Sequence, residues 1–175
     1  MSVPISNSHF KFMTLALRLR DIFKPPGRVL EEAGIKAGDT VLDFGCGPGS
    51  YSLAAAKLVG EKGKVYSLDI HPMAIKSVKH RALRRGIKNI EPVLSDRDTG
   101  IPDKCIDVIL VYDVFHELNA PEKYLAEMSR ILKDDGIISF NDHHLEEQES
   151  QAGMTQGNYF QLAKKDGKTY TFKKR

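Results

Sequence analysis

The stretch Thr40-Val41-Leu42-Asp43-Phe44-Gly45-Cys46-Gly47-Pro48-Gly49-Ser50 decides how this chain is read. Its first five residues suit a strand that leaves the turn Gly38-Asp39. Three glycines then follow at every second position. Glycine takes positive φ freely and lets a ligand approach the backbone closely. Ser50 is expected to cap a helix running to about Leu58, whose first N–H groups are free at the loop.

Downstream, Lys64 to Asp69 reads as a second strand. His71-Pro72 opens a helix with proline at its first position. Ala74, Ile75, Val78 and Ala82 form its apolar face, and Gly86 ends it. Ile90 to Leu94 is a third strand containing Pro92. Proline cannot donate to a ladder, so this strand belongs at a sheet edge. Ile106 to Tyr112 is the most continuous apolar strand, with only Asp107 polar, and should be central and covered on both faces. Pro121 to Leu132 is a helix. Asp135-Gly136 is expected to turn into a fifth strand, Ile137 to Phe140. After a weakly patterned stretch, Leu145 to Gln151, Tyr159 to Ala163 and Thr169 to Phe172 flank Asp166-Gly167 as a hairpin. Alternation of this kind predicts the α/β class: one doubly wound, Rossmann-like, mostly parallel sheet ending in an antiparallel hairpin.

Upstream, Phe10 to Phe23 has helical periodicity on two faces. Phe12, Leu15, Ala16, Leu19, Ile22 and Phe23 share one; Phe10, Met13 and Leu17 share another. Both need cover, so residues 1–27 are expected to be a lid, a substrate segment or a dimer contact, ahead of a ligand-binding domain at 28–175. Pro25-Pro26 ends this helix, and a short helix from Arg28 to Ala33 stops at Gly34.

The chain has 175 residues and a net charge of +3. That length suits one domain, and that charge is too small to imply nucleic acid. The two cysteines, Cys46 and Cys105, form no metal-ligand or disulfide pattern. No membrane span or signal peptide is visible, so a cytoplasmic location is expected.

The loop narrows its own ligand. A phosphate-binding P-loop ends in Gly-Lys-Ser/Thr, whereas this one ends Pro48-Gly49-Ser50. In the dinucleotide fingerprint Gly-x-Gly-x-x-Gly the third glycine falls one residue later. Asp43, just before the loop, would repel a pyrophosphate and attract an ammonium group. S-adenosylmethionine carries an ammonium and a sulfonium and no phosphate. Asp69, at the end of the second strand, can accept both ribose hydroxyls of an adenosine.

At these residues the chain resembles a class I S-adenosylmethionine-dependent methyltransferase of the ubiquinone-biosynthesis-methyltransferase-like group, over about Val29 to Phe172. Val41 to Gly49 is similar to that family's first motif, and Val65 to Asp69 to its second strand. Ser95-Asp96 resembles its adenine-contacting acidic turn, Ile106 to Val111 its fourth-strand motif, and Arg130 to Gly136 the turn before its fifth strand. The resemblance implies a seven-stranded sheet of order 3-2-1-4-5-7-6 with strand seven antiparallel. The segment after strand five departs from the family: it is short and poor in apolar residues, so the helix usually found there is expected to be reduced or disordered. The resemblance also implies cofactor contacts from Asp43, Gly45, Cys46, Gly47, Pro48, Gly49, Asp69, Ile70, Met73, Asp96 and Tyr112, with S-adenosylhomocysteine as product.

Methyl transfer needs a base only when the acceptor must lose a proton. His116 is the first candidate, with Glu117 and His144 nearby in the pattern. Asp113, Asn141, Asp142 and His143 are candidate substrate contacts. Catechol-type methyltransferases hold a metal with an Asp and an Asp-Asn pair at similar places; here the pair is reversed, and no metal is expected. A small-molecule acceptor is expected, selected by Met1 to Pro26 and the loops after strands four and five. The helix also suits a homodimer. The rival functions are a nicotinamide-dependent oxidoreductase and a non-catalytic S-adenosylmethionine-binding subunit.

Overall fold

The structure, a computed structural model, describes residues 6–23 and 25–175. The first five residues of the expected acceptor-selecting segment therefore lie outside the described residues. Seven strands form one sheet: β1 (Thr40–Phe44), β2 (Lys64–Asp69), β3 (Ile90–Leu94), β4 (Ile106–Tyr112), β5 (Leu132–Asn141), β6 (Phe160–Asp166) and β7 (Thr169–Lys174). Their order is β3-β2-β1-β4-β5-β7-β6. The first five are parallel, and β7 is antiparallel to both β5 and β6. Pro92 lies on the edge strand β3, as its missing N–H requires.

Strand β4 shows why the sheet is covered on both faces. Val108, Leu110 and Tyr112 point into a cluster with Leu30, Ala55 and Val59, from α2 (Gly27–Glu32) and α3 (Ser50–Val59). Ile109 and Val111 alternate to the opposite face, against Leu125 and Met128 of α5 (Pro121–Ile131) and against Phe140 and Phe172. A strand buried on both faces cannot alternate polar with apolar residues. Its single polar residue, Asp107, works at the end away from the ligand side. It accepts the Thr40 N–H at 2.8 Å and pairs with Lys133 Nζ at 2.6 Å.

Three local expectations are corrected. Asp135-Gly136 is not a turn between helix and strand: α5 passes directly into β5 at Leu132. The pairing then jumps from Ile106↔Leu132 to Val108↔Ile137, so residues 133–136 bulge from β5 while staying in it. Ser50 is not a helix cap. Gly49, in the left-handed region at φ 86°, occupies the cap position, and the Ser50 hydroxyl donates to Asp21. The hairpin turn is Gly167-Lys168, because Asp166 pairs with Thr169 within the ladder. The weakly patterned stretch holds the short helix α6 (Glu147–Met154), stopped by Thr155 and closed at its start by a capping box between Glu146 and Glu149.

Helix α1 (Asn7–Phe23) lies outside the sheet layers and packs on α3. Its two apolar faces have different fates. Phe10 is buried and Met13 and Leu17 are half-buried, while Phe12, Leu15, Leu19, Ile22 and Phe23 stay exposed.

Candidate active site

The carboxyl ends of β1, β2, β4 and β5 surround a cavity of about 470 Å³, within the ordinary range for small-molecule sites. The β1–α3 loop forms its floor. Gly45 and Cys46 both donate their N–H to Leu68 O at 2.9 Å, which draws the loop over β2. From α4 (Pro72–Arg84), Arg81 and Ser77 donate to Pro48 O at 2.6 and 3.2 Å.

The three glycines have separate duties. A side chain at Gly45 would strike Val114 at 2.5 Å, and one at Gly49 would strike Val78 at 2.6 Å. Gly47 has open space where its side chain would be, although its φ is 50°. The outer two are needed for packing; the middle one keeps space open over the loop.

Asp69 reaches the cavity from the end of β2. Its Oδ2 accepts the Gly47 N–H and its Oδ1 the His71 N–H, both at 2.8 Å. A carboxylate has about four acceptor positions, so each oxygen keeps capacity for one hydroxyl of a vicinal pair. That pair of acceptors fits an adenosine ribose. Burial raises the Asp69 carboxyl above its ordinary value, partly offset by the two N–H donors.

Of the expected cofactor contacts, Gly45, Cys46, Gly47, Pro48, Asp69, Ile70 and Tyr112 line this one cavity. Asp43, Gly49, Met73 and Asp96 do not. Asp43 is buried beneath the loop, where Ser52 Oγ donates to it at 2.5 Å. Burial pushes its carboxyl up to about 6. Met73 gives its N–H to Nδ1 of His71, the true cap of α4. Asp96 is exposed and accepts from Tyr124 Oη at 2.9 Å. Burial raises the Cys46 thiol well above its usual value, with Asp43 and Asp69 adding to the effect, so it stays neutral.

The far wall holds two carboxylate–imidazole pairs. Asp142, its side chain only 1% exposed, lies 3.0 and 2.9 Å through Oδ1 and Oδ2 from His116 Nδ1. It also accepts the backbone N–H of His116 at 3.0 Å and of His144 at 3.1 Å. His116 stands on a single 3-10 turn (Phe115–Glu117) just past β4. The second pair is His143 Nδ1 with Asp113 Oδ1, at 2.6 Å. Asp113 has left-handed backbone (φ 52°), which Asp tolerates better than most residues. The His144 ring lies between the others, with centroids 4.1 Å from His116 and 3.9 Å from His143. His116, Asp113, His143, Glu117 and His144 line the cavity. Asp142 stands behind His116, and Asn141 contributes its carbonyl, which accepts the Asp113 N–H at 2.8 Å. Among the described residues, no group of three or more His, Cys, Asp or Glu is arranged to hold a metal ion.

Sequence reasoning missed several wall residues. Tyr51, on the first turn of α3, packs edge-on against Tyr112 at 4.8 Å. His71 stacks on Phe10 at 4.5 Å. Arg20 lies over the Tyr51 ring at 5.5 Å and 3.9 Å from Asp113. Tyr51 follows the glycine loop and His71 follows Asp69 by two, so their nearness to expected site positions was the available signal. Arg20 had none, because its role depends on where α1 comes to rest.

A glycine loop, an acid at the end of β2 and this strand order together define a class I S-adenosylmethionine-dependent methyltransferase fold. The chain belongs to the methyltransferase domain family, whose pattern matches residues 35–173. It is 35% identical over 123 residues to aklanonic acid methyltransferase DauC of Streptomyces sp. (strain C5), covering 69% of this chain and 56% of that protein. It is 34% identical over 111 residues to the ubiquinone/menaquinone biosynthesis C-methyltransferase UbiE of Azotobacter vinelandii, covering 62% of this chain and 44% of the relative. The chain thus spans about half the length of these curated relatives. Among solved structures, a SAM-dependent methyltransferase from Aquifex aeolicus superposes with a TM-score of 0.81 at 29% identity, covering 97% of this chain and 96% of that one.

Proposed function

We propose that this chain methylates a small, largely apolar acceptor that must lose a proton to react, with His116 as the base. The observation that carries this reading is the His116–Asp142 pair, in the same cavity as the glycine loop and Asp69. Bound S-adenosylmethionine supplies a methyl carbon already activated by its sulfonium. Asp69 and the β1–α3 loop would hold its adenosine end, and Asp43 would favour its positive charge from beneath the loop.

The remaining work belongs to the far wall. The Asp142 carboxylate already takes two backbone N–H groups, so His116 Nδ1 is the donor toward it. That fixes the tautomer and leaves Nε2 free to accept a proton. Asp142 then stabilises the imidazolium formed. His143, oriented in the same way by Asp113, is placed to hydrogen-bond a second polar group of the acceptor. Phe10, Met13, Ala16 and Leu17 of α1 add an apolar wall, which suits an acceptor with an apolar body. Two of the relatives are named for small acceptors, aklanonic acid and ubiquinone or menaquinone.

In this reading α1 is a lid on the domain at 28–175. It is latched by the Asp21–Ser50 contact, by Arg20 against Tyr51 and Asp113, and by Phe10 on His71. Closing such a lid excludes water and holds donor and acceptor in line, which can supply much of the acceleration. Calorimetry with S-adenosylmethionine, S-adenosylhomocysteine and NAD tests the cofactor: binding of NAD alone would sink the reading. A labelled-methyl screen over phenols, quinols and enolisable ketones tests the acceptor. Silence across it, despite cofactor binding, would favour a non-catalytic subunit.

A further inference from the structure

The outer face of α1 has no partner among the described residues. Phe12, Leu15, Leu19, Ile22 and Phe23 recur at helical spacing and are between 53% and 83% exposed. Single exposed apolar residues are ordinary, but five on one helix face form a patch that calls for an occupant. The sequence segment that carries this patch has a lopsided charge. Residues 6–28 contain Lys11, Arg18, Arg20, Lys24 and Arg28 against one acid, Asp21. That is a net of +4 where the whole chain carries +3, so the remainder is close to neutral. Asp21 itself is engaged by Arg20 and Ser50.

We propose that this face is an interfacial membrane-binding surface that takes anionic lipid, with α1 lying flat at the headgroup level. A helix with bulky apolar residues on one face and an excess of Lys and Arg buries that face in the acyl boundary and draws on the surface potential. No described helix is long and apolar enough to cross a membrane, and lying on one requires no such length. A second copy fits the patch less well. It would bring two +4 segments together. A helix of 17 residues is about 25 Å long and about 10 Å across, and one face of it offers on the order of 300 Å². A standard interface uses about 800 Å² per partner.

The placement has a consequence at the site, which rests on the methyl-transfer reading above. The inner face of the same helix walls the cavity through Phe10, Met13 and Leu17. A lid seated in the interface puts the cavity mouth where apolar acceptors dissolve, so the acceptor is drawn from the bilayer.

The test is co-sedimentation of the full chain with phosphatidylcholine vesicles, with and without a phosphatidylglycerol fraction, in the absence of cofactor and acceptor. Partition is expected to be roughly tenfold stronger with the anionic lipid and to weaken with salt. The double variant Leu15→Glu/Leu19→Glu should lose at least about tenfold in partition while binding S-adenosylmethionine as the parent does, which also shows that it is folded. Lack of partition by the parent overturns the proposal, as does partition indifferent to the variant. So does a dimer in sedimentation equilibrium that the variant splits, since a second copy would then occupy the face. No methyl transfer is read in this assay, so its failure and that of the proposed reaction are told apart.

Discussion

The Asp142 carboxylate, buried at the end of β5, faces Nδ1 of His116 on the turn after β4, with both oxygens within 3.0 Å. Two backbone N–H groups fix the carboxylate, so the imidazole is held by a rigid partner and not by a mobile side chain. His116→Asn is expected to lower kcat by about 10²–10⁴, the usual worth of a positioned base, with cofactor affinity unchanged. Asp142→Asn should lower it less, because Nε2 remains but its tautomer is no longer enforced. Single-turnover rates with calorimetric cofactor Kd separate these effects. An unchanged rate in His116→Asn would show that the acceptor needs no base here.

The glycine loop makes a contrasting pair of predictions. Gly45→Ala would drive a methyl group into Val114 and force an unfavourable φ, so it should destabilise the fold by more than about 2 kcal/mol. Gly47→Ala meets no protein atom, and only its φ of 50° opposes it, at about 1–2 kcal/mol. Its larger effect should fall on cofactor affinity, because the side chain would occupy the open space over the loop. Thermal melts and calorimetry on both variants check this division. Equal loss of binding with no difference in melting would contradict it.

Much of this was legible in the sequence because the period of the pattern names the element. The strand β4 and the edge placement of Pro92 were readable in that way. The place of Asp69 on the cavity wall was legible because the residue that ends the second strand of such a sheet lies on its ligand side. What was not legible depended on chain segments meeting. Asp43 precedes the loop in sequence, yet strand alternation turns it under the loop toward Ser52. The bulge at residues 133–136 has the same local chemistry as a turn, and only the partner strand decides between them. Arg20, Tyr51 and Asp113 meet only because α1 folds back over the cavity.

Asp69→Ala removes acceptors for two hydroxyls from a partly desolvated site and should cost about 1–3 kcal/mol of cofactor affinity. It also leaves the Gly47 and His71 N–H groups without their acceptor, so some loss of stability should accompany it. Asp69→Asn keeps one carbonyl acceptor and should fall between parent and alanine. Calorimetric Kd values for S-adenosylhomocysteine provide the measurement, and a folded alanine variant of parental affinity would refute the adenosine placement.

Asp43 makes a prediction in the opposite direction for stability. Burial raises its carboxyl from 3.8 to about 6 in the folded chain, whereas the unfolded chain keeps the ordinary value. Between those values the folded chain holds a proton that the unfolded chain has released. Stability from this group therefore falls as pH rises from about 4 to about 6, and it stays lower above that window. Asp43→Asn cannot ionise and can still accept from Ser52. It should be more stable than the parent at pH 7 by about 1–3 kcal/mol, with the difference vanishing near pH 4. The same change removes the negative charge beneath the loop, so affinity for the positively charged cofactor should drop more than affinity for S-adenosylhomocysteine, which lacks the sulfonium. Denaturant melts across pH 4 to 8 give the first result, and the ratio of the two ligand affinities gives the second. A variant less stable than the parent at pH 7, with the same pH slope, would show that Asp43 is not held ionised against its burial.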